Sequence, residues 1–489
     1  MRDQQIAFSQ ANQALSQLGI PGILPKLHSA GVFIKHFILG GSHSVVTYPP
    51  LDSLRLVRPD ELAKSIRYGK RANLYVHIPF CETQCTFCHY IVTLYRGEKS
   101  SPPLRFQAVS RYLESLKREI GVWGEKLRQS GTAISSIYIG GGTPLILEQE
   151  QLHDLIVAIR SEFNVLPDAE ICIEGSPLTV TAEGGEDKLR FLAGEGITRL
   201  SFGIQSFNDD VLKFAARGYK QETAIRACEI VGQVFDNWNL DLIQGLYKGT
   251  PEETWSNLAV IETVRPSHLT WYHGRFANRP QGDWYRSATK RIDFEDEQAT
   301  LLGRMLIWQQ MEALGYDQID GNRFVREKRY TDPFKKIRTS VSNDLIGVGV
   351  SSYSHVDMRE YPQHLNTSEG EFFRNLTNIQ GYIESLERGD LPIGTGRKMD
   401  AEEWLAASYA VGLRTGRIED ETIRQVRKLN PELSAHYQDL ETRLLDVGVL
   451  ETIDAEEGAK VLRVSKLGQL FEDEVLSLFY SPTVQEALG

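Results

Sequence analysis

The chain has 489 residues, enough for two or three domains with large apolar cores. Hydrophobic and charged fractions of 41% and 24% are ordinary for a globular protein, and no apolar run is long enough to span a bilayer. The net charge of −11 argues against nucleic acid as a partner, although not against a local basic pocket for carboxylates or phosphates. The first eight residues lack the uninterrupted apolar core of a signal peptide. A soluble cytoplasmic enzyme is expected, in a compartment that keeps thiols reduced.

In chain order, residues 1–70 read as an N-terminal extension with a short helix over Gln4–Leu18 and a stretch rich in Gly and Pro after it. From 71 to 275, strand and helix patterns alternate. Apolar strands are expected near 73–79, 134–139, 169–174, 198–204, 238–245 and 267–273. Helices are expected near 106–127, 149–163, 186–195, 209–232 and 251–263. Such alternation implies parallel strands with right-handed crossovers, so the fold class is α/β with a partial (β/α)6 barrel. Residues 276–400 read as α/β-mixed, with helices near 294–315 and 370–388, and are expected to close the open side of the barrel. Residues 401–489 read as helical, with a small hairpin near Val449–Glu451 and Val461–Val464 and a helix over Lys466–Phe479. Asp454, Glu456 and Glu457 make that hairpin acidic, which argues against DNA binding.

Three of the five cysteines fall within eight residues, Cys81, Cys85 and Cys88, spaced C-x3-C-x2-C. One loop with this spacing can wrap three thiolates around a single iron–sulfur cube. A [4Fe–4S] cluster has four irons, so three local ligands leave one iron open for an outside ligand. A zinc site is the competing reading, but it usually needs a fourth Cys or His, and His89 is too close to Cys88 to share its metal. A disulfide lacks a secretory context. Spacing alone leaves cluster and zinc open. Cys172 lies mid-strand and Cys228 in a helix pattern, and both read as buried small hydrophobes.

Further short segments sit at the ends of the expected strands, where α/β barrels carry function. They are Gly140-Gly141-Gly142-Thr143-Pro144, Ile173-Glu174-Gly175-Ser176-Pro177, Gly203-Ile204-Gln205-Ser206-Phe207-Asn208 with Arg217 twelve residues after the Gln, and Asp241-Leu242-Ile243-Gln244-Gly245-Leu246, and Asp344-Leu345-Ile346-Gly347-Val348-Gly349 follows beyond the last of these strands. Together with His77-Ile78-Pro79-Phe80 before Cys81, these segments resemble, in order, the radical S-adenosylmethionine (SAM) superfamily. Within it they resemble the branch typified by oxygen-independent coproporphyrinogen III oxidase (HemN). The resemblance runs from about Tyr48 to about Phe479, with Tyr48-Pro49 similar to the "YP" before the core of that branch.

The resemblance implies a [4Fe–4S] cluster on Cys81, Cys85 and Cys88, with SAM chelated at the open iron and cleaved reductively to methionine and a 5′-deoxyadenosyl radical. It implies SAM contacts from Tyr75, Gly140, Gly141, Gly142, Thr143, Glu174, Gln205, Arg217 and Asp241. Glycines let backbone approach a ligand, Arg217 offers a planar fork for a carboxylate, and Asp241 offers a carboxylate for ribose hydroxyls. Tyr272, His273 and Arg275 follow the sixth strand and are weaker candidates for substrate contact. The resemblance also implies a C-terminal winged-helix-like domain and an electron donor such as flavodoxin or ferredoxin. No nucleic acid, no membrane and a monomeric state are expected.

One position departs from the pattern. Coproporphyrinogen oxidases of this branch carry a fourth cysteine two residues after the last cluster ligand, and Tyr90 stands there. That change, with a retained N-terminal extension, resembles the HemN-like methylases and cyclopropanases, which use two SAM molecules and deliver a carbon to an sp2 centre of a small-molecule substrate. Tyr90 and Tyr75 are the candidate catalytic residues. Oxidative decarboxylation of coproporphyrinogen III, and haem binding, transfer or degradation, are the alternatives.

Overall fold

The computed structural model describes residues 2–35, 37–38, 47–57, 68–88, 90–94, 102–274, 276–277, 294–330, 344–356, 370–415, 418–419, 431–454 and 460–488. Helix α1 (Arg2–Gln17) opens the chain. The strands β1 (Arg71–Ile78), β2 (Ala133–Gly141), β3 (Val165–Gly175), β4 (Arg199–Gln205), β5 (Trp238–Gln244) and β6 (His268–His273) then run parallel to one another in sequence order. Helices α2 (Pro102–Ser130), α3 (Gln149–Glu162), α4 (Gly185–Gly194), α5 (Gln221–Val234) and α6 (Pro251–Val264) connect them. The strands are buried on both faces, as parallel strands covered by crossover helices must be. Helix starts follow local chemistry. Thr250 Oγ1 accepts from Glu253 N before Pro251 opens α6, and Gln151 Oε1 accepts from Glu148 N at the start of α3.

The expected six-strand partial barrel is therefore present, and its sheet goes further. A seventh parallel strand, β7 (Asp344–Val348), pairs with the outer side of β1, with Asp344 opposite Ala72 and Val348 opposite Val76. Antiparallel strands β8 (Tyr353–Val356), β9 (Gly370–Asn375) and β10 (Ile393–Met399) extend that side. The short strand Arg323–Val325 runs antiparallel to β6 on the other. The sheet stays open among the described residues, with thirteen strands in all.

Two expected elements differ. The helix expected near 370–388 is strand β9 followed by helix α8 (Ile379–Glu387). Gly370–Asn375 pairs on both edges, and Asn378 caps α8 by accepting from Gly381 N at 2.8 Å. The helix expected near 209–232 is broken into Asp209–Phe214 and α5. Ala216 (φ 55°) and Gly218 (φ 76°) are left-handed and stop the first helix. The segment expected as a helix over Lys466–Phe479 is likewise two short helices, Lys466–Gln469 and Glu472–Ser477, which turn at buried Leu470 and Phe471.

The N-terminal segment packs against helix α7 (Glu297–Ala313). His28 Nε2 lies 2.6 Å from the Glu297 carboxylate, which also accepts from Ile34 N at 2.8 Å. Buried Glu403 accepts from Tyr48 Oη at 2.5 Å and from Ser481 Oγ at 3.0 Å, so one carboxylate joins the two ends of the chain. Near the C-terminus the helix Pro431–Asp446 precedes the hairpin Leu450–Asp454/Lys460–Val464, whose second strand also pairs with Ile418–Glu419. A helix leading into a three-stranded wing is the expected winged-helix-type arrangement. Among the described residues no helix is long and apolar enough to cross a membrane.

Candidate functional site

The loop that carries the cysteines leaves the C-terminal end of β1 and is fastened by backbone. Gly142 N donates to Ile78 O at 2.8 Å, Thr143 N to Phe80 O at 2.7 Å, and Thr86 N to Ala215 O at 3.2 Å. Cys85 is buried, and Cys81 and Cys88 are half-buried. Burial pushes the Cys81 thiol up to about 11 and the Cys88 thiol up to about 12. Burial disfavours the thiolate form of both, and the nearby Arg217 charge opposes that effect. Thr143 Oγ1 lies 3.7 Å from Cys81 Sγ, and Arg217 Nη1 donates to Cys85 Sγ at 2.9 Å. Among the described residues no three His, Cys, Asp or Glu side chains converge as they would on one metal ion. A cube differs from that case, because each thiolate takes its own iron.

The triple glycine at the end of β2 passes beside the cysteine loop. A Cβ on Gly142 would lie 2.4 Å from Phe80 O and 3.0 Å from Cys81 Sγ. Gly141 has φ 118°, and a Cβ there would lie 2.6 Å from the His77 ring. Both positions therefore require glycine. The Glu174 carboxylate accepts from Gly141 N at 3.0 Å and from Tyr138 Oη at 2.6 Å, so β3 holds the turn that β2 presents. Tyr138 stacks on Tyr75 with ring centroids 6.2 Å apart. Tyr75 Oη lies 3.1 Å from His77 Nδ1, and His77 Nε2 lies 3.4 Å from Ile91 O. A carbonyl only accepts, so His77 carries its proton on Nε2 and receives the Tyr75 hydroxyl on Nδ1. Burial holds this imidazole down to about 4.

Gln205 ends β4 with a left-handed backbone (φ 71°), and its amide packs over Gly203, where a Cβ would lie 2.2 Å from Nε2. Arg217 Nη2 donates to Gly203 O, and Nε donates to Tyr219 Oη at 2.9 Å. Asp241 sits mid-strand on β5 and accepts from Asn239 Nδ2 at 2.8 Å. Asn239 also donates to Ser201 Oγ and accepts from Thr270 Oγ1. These bonds form a buried polar layer across β4, β5 and β6.

Residues 75–260 match the family model described as the radical SAM superfamily. An anaerobic coproporphyrinogen III oxidase of Cereibacter sphaeroides is 28% identical over 68% of this chain and 70% of its own length. The heme chaperone HemW of Escherichia coli is 31% identical over 41% of this chain and 50% of its own. The solved structure of coproporphyrinogen III oxidase (HemN) from Escherichia coli has the same fold, with a TM-score of 0.70 at 24% identity. The match covers 90% of this chain and 97% of that one. The chain carries a radical SAM domain and is similar to proteins of the HemN-like branch.

A radical SAM domain implies a [4Fe–4S] cluster and SAM as cofactors. The cysteine loop fits them: three thiols lie on one loop, and a glycine cradle that a single methyl would fill lies against Cys81. Tyr90 follows this loop and is 54% exposed, whereas Tyr75 is half-buried on β1. Cys172 is buried beside Tyr138 and Leu345, and Cys228 is buried on the core face of α5. Tyr272 and His273 end β6 half-buried, and Arg275 lies outside the described residues.

Several residues of this candidate site and its supports carry no motif signal. Tyr138 was findable, because it stands two residues before Gly140 on the same face of β2. Tyr219 and Asn239 gave no sign. Nor did the buried clamp on α2, where the Glu119 carboxylate accepts from Gly349 N and Asn375 Nδ2, each at 2.7 Å, and from Tyr382 Oη at 2.5 Å. Tyr112, two turns earlier on α2, receives Val350 N at 3.2 Å.

Proposed function

We propose that Cys81, Cys85 and Cys88 hold the cluster, and that Tyr75, Gly140–Thr143, Glu174, Gln205, Arg217 and Asp241 form the SAM site beside it. The observation that carries this reading is the bond from Gly141 N to Glu174, which joins the ends of β2 and β3 next to Cys81. Held by these three cysteines, the cluster would supply an electron for reductive cleavage of SAM. The protein's part is positioning. The Tyr75–Tyr138 stack walls the barrel interior, the glycine turn admits the backbone to close contact, and the Asn239 layer fixes the Asp241 carboxylate.

The substrate is a small molecule, and the proposed outcome is methylation or cyclopropanation at an sp2 carbon with a second SAM as carbon donor. Tyr90 in place of a cysteine supports this, since the exposed phenol beside the cysteine loop cannot do the chemistry of a thiol there. Oxidative decarboxylation of a coproporphyrinogen is the second reading. It is favoured by the names of the relatives and by the fold likeness over 90% of the chain. The test is anaerobic turnover with methyl-labelled SAM. Label in a product, with both 5′-deoxyadenosine and S-adenosylhomocysteine, supports carbon transfer. Release of CO2 from coproporphyrinogen III, with 5′-deoxyadenosine and methionine as the SAM products, promotes decarboxylation. Tight haem binding with no SAM cleavage rejects both in favour of a carrier.

A further inference from the structure

Arg217 lies on the segment between the helix Asp209–Phe214 and α5, and this segment is pressed against the cysteine loop. Thr86 N donates to Ala215 O, and a Cβ on Gly218 would lie 3.3 Å from Thr83 Cγ2. The left-handed backbone at Ala216 and Gly218 turns Arg217 inward between them. All three guanidinium nitrogens are then engaged within the protein: Nε by Tyr219 Oη, Nη2 by Gly203 O, and Nη1 by Cys85 Sγ at 2.9 Å. None of these partners is a carboxylate. The Tyr219 hydroxyl is itself anchored on Ile204 O at 3.0 Å, and its ring lies 5.3 Å from the guanidinium carbon. The positive charge is thus fixed facing a sulfur, and its attraction extends to Cys81 and Cys88.

We propose that Arg217 sets the reduction potential of the cluster through its N–H···S bond to Cys85. This rests on the reading that the three cysteines hold the cluster. Reduction adds one electron from an external reductant, breaks no bond, and leaves the cluster one unit more negative. A cation and a donated hydrogen bond at a ligand sulfur stabilise that reduced form, so both raise the potential. Gly203 and Tyr219 act as positioning groups that keep the fork on the sulfur. This role is separate from any contact with the SAM carboxylate, because it operates when SAM is absent.

The experiment is a potentiometric titration of the reconstituted full-length protein without SAM, read by electron paramagnetic resonance. Arg217→Gln removes the charge and is expected to shift the midpoint to more negative values. Tyr219→Phe keeps the charge but frees the fork, and is expected to shift it less, in the same direction. Arg217→Lys serves if the Gln variant fails to take up iron, and a shift smaller than for Gln but again negative is expected. Wild-type potentials in these variants, with only the apparent KM for SAM raised, would overturn the inference and leave Arg217 as a SAM ligand alone. A wild-type protein that takes up no cluster iron fails at the earlier step, and its iron content distinguishes that result from an unshifted potential.

Discussion

The hydroxyl of Tyr112 donates to the carbonyl of His77 at 2.7 Å, so the outer helix α2 holds the end of β1 four residues before Cys81. The same oxygen receives Val350 N from the turn after β7. Tyr112→Phe leaves a buried carbonyl and a buried N–H without this partner, and should lower unfolding free energy by about 1–3 kcal/mol. Urea denaturation of the metal-free protein measures it. A variant as stable as wild type would show that the bridge contributes nothing.

Gly142→Ala should prevent cluster assembly while sparing the fold. The new methyl meets the Phe80 carbonyl, which is backbone and has little room to move, before it meets Cys81 Sγ. Iron content after reconstitution should drop steeply, with circular dichroism unchanged. Gly121→Ala, at an α2 position where a Cβ has open space, is the control and should retain full iron.

Cysteine replacement should divide the five residues three to two. Cys81→Ala, Cys85→Ala and Cys88→Ala are expected to abolish SAM cleavage. Cys172→Ala and Cys228→Ala remove buried core thiols and are expected to lower stability while leaving 5′-deoxyadenosine formation within a few-fold of wild type. Full activity in Cys85→Ala would refute the assignment of the loop.

His77 links the site to pH. Burial lowers its pKa from 6.5 to about 4, with the Ile91 carbonyl opposing and Arg374 reinforcing the shift. Between these values the unfolded chain binds the proton and the folded chain does not, so stability rises with pH across that window. It is lost as pH falls from 6.5 through 4, by about 3 kcal/mol at most. The difference in unfolding free energy between wild type and His77→Gln, measured on metal-free protein, should shrink over that range. A difference independent of pH would remove His77 as its source.

The barrel was legible because its strands are apolar runs that alternate with amphipathic segments, a pattern that β1 to β6 and their helices keep apart from the break before α5. Gly370–Asn375 was misread because Phe372 and Phe373 suit a helix face or a strand equally well, and only pairing to β8 and β10 decides between them. The break before α5 was hidden in Ala216, a good helix former whose left-handed backbone follows from its tertiary setting. For the same reason the residue type of Arg217 suggested a carboxylate, while its aim toward Cys85 depends on that backbone. The glycines fared better. Gly141 and Gly142 sit where close approach by His77 and Phe80 forbids a side chain, and that requirement is written in residue type.

The pairing of β7 with β1 has a consequence for how the molecule is made. Ala72 to Val76 emerge from the ribosome before any other barrel strand, yet one of their two neighbours, Asp344 to Val348, is synthesised only after all five of the others. One side of β1 therefore waits with its amide and carbonyl groups unpaired while most of the barrel is already available, in a nascent chain open to mispairing with other strands. Such long-range closure slows folding. A fragment ending at residue 260 would keep that gap permanently, so it should be recovered as aggregate while the full chain is not.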